Sequence, residues 1–85
     1  MLELFTTSTC VRCPVLIEYL HEELHIKTIK RVIDTDPEAE TDALMLNIRA
    51  VPALRKGDDV LMLKDIMDKD HKLFKKKILE FIKHH

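Results

Sequence analysis

The chain has 85 residues, of which 46% are hydrophobic and 34% charged, and its formal net charge is −1. This length suffices for one compact domain, so we expect residues 1–85 to form a single domain. The balanced charge argues against nucleic acid or an acidic membrane surface as a partner. The longest stretch without a charged residue, 4–11, is short and mostly polar, so we expect neither a membrane span nor a secretory leader. These features together predict a cytoplasmic protein.

The N-terminal third predicts a strand, a loop and a helix. The apolar "MLELF" is bounded by the polar residues 6–9, which is typical of a strand followed by a loop. From Cys10 onward the hydrophobic period becomes helical, and Pro14 is tolerable because it falls in the first turn. The predicted inner face of this helix consists of Cys13, Leu16, Ile17, Leu20 and Leu24. Tyr19 is expected on the outer side.

The middle of the chain predicts a second strand and a second helix. The segment "IKTIKRVID" alternates and is rich in β-branched residues, and its helical connection to the first strand predicts parallel pairing. Asp36 before Pro37 is typical of an N-cap followed by a first-turn proline. Asn47 accepts the left-handed conformation of a helix end, so we expect this helix to end there.

The C-terminal part predicts a hairpin and a last helix. In "IRAVPALRKGDDVLML" two apolar runs flank Lys56-Gly57-Asp58-Asp59, with the only glycine of the chain at the turn. Asp68 or Asp70 is expected to cap a helix whose inner face contains Leu73, Phe74, Ile78, Phe81 and Ile82. The predicted order is β-α-β-α-β-β-α, an α/β fold around a four-stranded mixed sheet.

The only two cysteines, Cys10 and Cys13, are separated by two residues. Such a pair can bind a metal, form a structural cross-link, or exchange electrons. A structural zinc site usually has four ligands, and no second cysteine pair is present. A cross-link closing so small a loop restricts the unfolded chain little. The strand-to-helix context therefore favours redox chemistry, with metal binding as the main alternative.

The two cysteines are expected to play different roles. Cys10 falls at the predicted helix start, where unpaired N–H groups favour a thiolate, and Arg12 adds a cation within the motif. Cys13 lies on the apolar face and should be more buried. One exposed, activated sulfur beside a shielded one suits nucleophilic attack followed by resolution.

Two motifs in order, "TCVRCP" after the first strand and "NIRAVPAL" before the hairpin, give the chain a resemblance to the thioredoxin/glutaredoxin superfamily over nearly its whole length. The resemblance implies a thioredoxin fold and a thiol–disulfide oxidoreductase with catalytic Cys10 and Cys13. It also implies a cis peptide bond between Val51 and Pro52 that faces the dithiol and binds the substrate backbone. The redox-active disulfide would serve without any dissolved cofactor or metal.

Departures from the family pattern narrow the subtype. Thr9 stands where thioredoxins carry Trp, and Leu4 where they bury an Asp. Glutaredoxins that bind glutathione carry a Gly-Gly pair after the fourth strand, where this chain has "LMLKD", and a Lys shortly before the cysteine motif, where it has Thr7. The chain thus resembles the small archaeal and bacterial glutaredoxin-like thioredoxins, which implies protein disulfides as substrates and a thioredoxin reductase-type electron donor. We expect a monomer. The alternative is a non-catalytic module that binds a metal through the dithiol or a protein through the cis-proline surface.

Two further patterns are given less weight. "HEELH", residues 21–25, matches the zinc-protease motif H-E-x-x-H, but no third ligand is evident and the chain leaves little room for a cleft. Lys75, Lys76 and Lys77 could indicate a membrane- or RNA-binding helix. The same helix is needed to cover the sheet, so these lysines are interpreted as its solvated face.

Overall fold

The computed structural model describes residues 2–69 and 73–84 and shows a mixed α/β fold. Its four-stranded sheet has the order β2-β1-β3-β4. The strands are β1 (Leu2–Thr6), β2 (Thr28–Val32), β3 (Ala53–Lys56) and β4 (Asp59–Met62). The described helices are α1 (Cys13–Glu18), which continues into a π-helical segment (Tyr19–Glu23), α2 (Pro37–Met45), α3 (Lys64–Lys69) and α4 (Leu73–His84).

Strand pairing makes the sheet mixed, as predicted. β1 pairs in parallel with β2, with Phe5 opposite Arg31. On its other side β1 pairs antiparallel with β3, with Phe5 opposite Ala53. β3 and β4 form the predicted hairpin. β1 is therefore an inner strand, and its buried residues alternate between the two faces of the sheet.

The core has two parts, one on each face of the sheet. Because successive strand residues point to opposite faces, Leu2 and Leu4 pack with helices α1 and α4, whereas Phe5 packs with α2. Leu4, Leu16, Leu20, Leu54 and Ile78 are fully buried on the α1 face. At about 25 cal/mol per Å² of apolar surface, burying each of these side chains contributes roughly 1.5–3 kcal/mol before the entropy cost of ordering it.

The predicted end signals of α2 are confirmed. The Asp36 carboxylate accepts a hydrogen bond from the Glu38 amide at 3.0 Å, and Pro37 is the first helical residue. Asn47 has φ 60°, and the Ile48 amide bonds the Ala43 carbonyl at 2.8 Å, which is the Schellman arrangement. Gly57 at the hairpin turn also has positive φ, 63°, which glycine adopts without steric cost.

The expected outward position of Tyr19 is wrong. Its side chain is 7% exposed and makes an edge-to-face contact with Phe74 of α4, with the ring centroids 5.6 Å apart. The periodicity identified only the helix face that covers the sheet. A neighbouring helix covers the adjacent flank, and a contact with a distant segment leaves no trace in local periodicity. Burial in turn raises the pKa of the Tyr19 hydroxyl, an effect to which the nearby Glu23 adds.

The C-terminal helix differs from the prediction at its start. Asp68 lies within the separate helix α3 and is not a cap of α4, while Asp70 is outside the described residues. Of the predicted inner face, Phe74, Ile78 and Phe81 are buried and Ile82 is partly buried, but Leu73 is exposed. A residue advances about 100° around a helix, which places Leu73 well to the side of the face centred near Phe74 and Ile78.

No helix within the described residues is long and apolar enough to cross a lipid bilayer.

Candidate functional site

The site is built on the connection between β1 and α1. Cys10 and Cys13 form a disulfide whose Cα atoms are 5.6 Å apart. Cys13 is the first residue of α1 and is 4% exposed, whereas Cys10 lies three residues before the helix and is partly exposed. The expected difference in burial is therefore found. The helix starts later than expected, so Cys10 belongs to the approach loop.

The buried sulfur has a hydroxyl partner. Thr6 Oγ1 lies 2.7 Å from Cys13 Sγ, and Thr6 is 1% exposed. The same oxygen is 3.2 Å from the backbone carbonyl of Thr7. Thr6 ends β1 and shares the face of Leu2 and Leu4, because strand residues two apart point the same way. That face is the one covered by α1, so the hydroxyl meets the helix at its first residue.

The loop before Cys10 is anchored to the end of β2. The Asp34 carboxylate accepts a hydrogen bond from the Ser8 amide at 3.0 Å and another from the Ser8 hydroxyl. These bonds favour the charged form and lower the pKa of Asp34. The Cys10 amide bonds the Thr7 carbonyl at 3.2 Å. Both contacts hold in place the loop that carries the partly exposed Cys10 Sγ.

Arg12 forms an ion pair with Asp68 of α3. Its guanidinium donates to and forms an ion pair with the carboxylate of Asp68, with both side chains more than a third exposed. Arg12 thus lies between the two cysteines in the chain, but Asp68 balances much of its charge. Its role as electrostatic helper remains a prediction.

The Val51–Pro52 peptide bond is cis. Ala53, the next residue, is opposite Phe5 in the sheet, so Pro52 lies at the same end of the sheet as Thr6 and the disulfide. Pro52 is buried, and its carbonyl accepts a hydrogen bond from the Leu63 amide at 2.9 Å. Within the described residues, no backbone hydrogen bond involves the amide or carbonyl of Val51.

A cleft of about 400 Å³ opens on the β2 side of the disulfide. The β1–α1 connection and β2 form its walls, and it is lined by Thr6, Thr7, Ser8, Cys10, Cys13, Pro14, Ile17, Lys30, Val32 and Thr35. Neither Val51 nor Pro52 lines this cleft. The disulfide is therefore accessible along a surface separate from the cis-proline segment.

Sequence reasoning proposed the cysteines, Arg12 and the Val51–Pro52 segment as site residues, but it did not point to the residues that contact them. Thr6 could have been found from strand parity, since Leu2, Leu4 and Thr6 fall on one face that leads directly to Cys13. The contact of Ser8 with Asp34 spans 26 residues and has no comparable local signal.

The "HEELH" histidines do not share a regular helical face. The segment 19–23 is π-helical, and His25 lies beyond it with φ 54°. His21 Nε2 is instead 3.3 Å from the Thr28 hydroxyl. In the part of the chain that the structure describes, no three His, Cys, Asp or Glu side chains are grouped as metal ligands.

No protein-family model matches the chain, and no curated protein matches it.

Proposed function

We propose that this chain is a small thiol–disulfide oxidoreductase of the thioredoxin fold that reduces disulfides in partner proteins in the cytoplasm. The observation that carries the proposal is the Cys10–Cys13 disulfide at the end of β1, with one sulfur partly exposed and the other buried. A pair that differs in access can divide the reaction into attack and resolution.

In the reduced protein the Cys10 thiolate attacks one sulfur of a substrate disulfide. A bond forms between Cys10 and that sulfur, the substrate disulfide breaks, and the departing thiolate takes a proton. Cys13 then loses its proton and attacks Cys10 Sγ, which releases the second substrate thiol and forms the Cys10–Cys13 disulfide. Two electrons pass from the two cysteines to the substrate, which leaves as two thiols.

The Val51–Pro52 segment is the proposed docking edge for the substrate backbone. It lies at the same end of the sheet as the disulfide, and the Val51 amide and carbonyl have no backbone partner within the described residues. An extended peptide could pair with these groups as an added strand pairs with a sheet edge. We propose a thioredoxin reductase-type flavoprotein as the electron donor to the oxidised form.

A non-catalytic module is the second candidate. A module that held a metal through the dithiol would need further ligands, and the described residues offer no group of three. A module that bound a partner through the Val51–Pro52 surface would not need the cysteines to change oxidation state. Only the redox proposal gives a reason for two cysteines of unequal access at this position.

The test is reduction of insulin by dithiothreitol, followed by turbidity, with and without the protein. We expect the wild-type chain to accelerate the reaction, and Cys10→Ser to abolish the acceleration. Lys76→Ala, an exposed substitution on α4 away from the cysteines and the Val51–Pro52 segment, is the matched control and should retain activity. A wild-type protein that binds partners but leaves the rate unchanged would favour the non-catalytic module.

A further inference from the structure

We infer that Thr6 is a positioning residue that controls ionisation of the resolving thiol Cys13. This inference rests on the proposed redox function, and concerns a residue to which neither the sequence motifs nor the cis-proline segment points. Its basis is the 2.7 Å approach of Thr6 Oγ1 to Cys13 Sγ inside the core.

The environment of Cys13 makes this contact important. Cys13 is 4% exposed, so water cannot solvate a negative charge on its sulfur well, and burial in apolar surroundings disfavours a thiolate. Apart from Tyr19, Thr6 is the only buried residue among those described with a hydroxyl or charged side chain, and its hydroxyl lies within hydrogen-bond distance of Cys13 Sγ. Its hydroxyl is therefore the side-chain group best placed to compensate the charge that Cys13 must acquire before it attacks Cys10.

The Thr6 hydroxyl can serve both protonation states because it both donates and accepts. When Cys13 is a thiol, the S–H can donate to Thr6 Oγ1 while the Thr6 hydroxyl donates to the Thr7 carbonyl 3.2 Å away. When Cys13 has lost its proton, the hydroxyl rotates and donates to the sulfur. Thr6 gives up no proton in this exchange; the proton of Cys13 goes to the thiolate that leaves the substrate.

The position of Thr6 in the fold keeps this contact fixed. β1 holds Thr6 through its pairing with Val32 of β2, and the Ile33 amide bonds the Thr6 carbonyl at 2.9 Å. A β-branched side chain has few rotamers, so the hydroxyl is presented to Cys13 at little entropic cost.

The first experiment measures ionisation of Cys13 alone. Cys10→Ser leaves Cys13 as the only cysteine in the chain, and its ¹³Cβ shift can be followed against pH by NMR. Because a hydrogen bond to a charged group is worth about 1.5–3 kcal/mol, adding Thr6→Val should move the midpoint upward by about one pH unit or more. Thr6→Ser should leave it near the starting value. Thr41→Val, which removes a hydroxyl on exposed α2, is the control.

The second experiment separates attack from resolution in the otherwise wild-type, reduced protein. With 5,5′-dithiobis(2-nitrobenzoate) limiting, attack by Cys10 releases one nitrothiobenzoate, and attack by Cys13 on the mixed disulfide releases the second. Thr6→Val should leave the first phase unchanged. At neutral pH the second phase should slow about threefold, since roughly tenfold less thiolate is partly offset by the greater nucleophilicity of the more basic sulfur.

The pH profile distinguishes this role from loss of geometry. At a pH where Cys13 is fully ionised in both proteins, the Thr6→Val thiolate should react as fast as the wild-type thiolate or faster, whereas a displaced sulfur would react more slowly at every pH. If Thr6→Val does not fold, judged by circular dichroism, Thr6→Ala, which lacks the hydroxyl, is compared with Thr6→Ser, which keeps it. Two phases in the wild type, with the second phase and the midpoint unchanged in Thr6→Val or Thr6→Ala, would overturn the role of Thr6. Absence of a first phase in the wild type would instead overturn the proposed redox function.

Discussion

Arg12, between the two cysteines, is paired with Asp68 of α3, which lies 56 residues later in the chain. The pair links the loop between β1 and α1, which carries Cys10, to a helix that hydrophobic periodicity did not predict. Because both side chains are more than a third exposed, solvent screens the interaction, and pairs of this kind contribute between 0 and about 1 kcal/mol to stability. The effect of Asp68 on the reactivity of the cysteines is easier to measure than so small a contribution to stability.

Asp68→Asn should increase the reactivity of Cys10 at neutral pH. The substitution releases the Arg12 guanidinium from its carboxylate partner, so more of its positive charge is available to favour a nearby thiolate. The measurement is the rate of iodoacetamide alkylation of Cys10 in the reduced protein. Asp58→Asn, in the exposed hairpin turn, removes the same charge elsewhere and serves as the control. Equal rates in Asp68→Asn, Asp58→Asn and wild type would show that Arg12 has no electrostatic role.

Asp34→Asn should reduce stability at neutral pH and remove one source of acid sensitivity. The bonds from Ser8 lower the pKa of Asp34 below its usual value of 3.8, so the folded state favours the carboxylate. The stabilisation is present above about pH 4 and is lost as the pH falls through the lower, folded-state pKa. Urea unfolding at pH 7 and at about pH 2 should therefore show a difference between wild type and variant that shrinks at the lower pH. A constant difference would mean that the charge of Asp34 is not what anchors Ser8.

Cys10 should be alkylated well before Cys13 in the reduced protein. Cys10 lies in the partly exposed loop, whereas Cys13 is 4% exposed at the start of α1. Mass spectrometry of iodoacetamide adducts at successive times gives the order. Unfolding in urea is the internal control, since it should make the two rates similar. Faster labelling of Cys13 in the folded protein would reverse the proposed roles of the two sulfurs.

A thioredoxin reductase should regenerate the dithiol more efficiently than free glutathione. A small charged peptide needs dedicated contacts to hold it at the sulfur, whereas a protein donor can dock over a broad surface. NADPH oxidation in two coupled assays, one with each donor system, measures the difference. Arg49 and Arg55 flank the Val51–Pro52 segment in sequence. Efficient turnover with glutathione alone, reduced by substitution of these arginines with alanine, would make the protein a glutathione-dependent enzyme.

Local sequence was enough to predict the features that depend on a few neighbouring residues. The Asp36 cap, the left-handed Asn47 and the Gly57 turn each arise from the backbone preferences or short side chain of one residue. The cis bond before Pro52 was implied by resemblance of the motif. The helical period likewise predicted burial of Cys13 and Leu16.

Tertiary structure decided what those features contact. Tyr19 is buried because α4 packs beside the π-helical segment, and Arg12 meets Asp68 because α3 lies against the loop that precedes α1. The contact between Thr6 and Cys13 needs both the parity of β1 and the start of α1 three residues after Cys10. Hydrophobic periodicity and capping signals report which way a residue faces along its own element. These signals do not show which residue of another element will contact it. The residues that contact the cysteines and their loop are set by such contacts between elements.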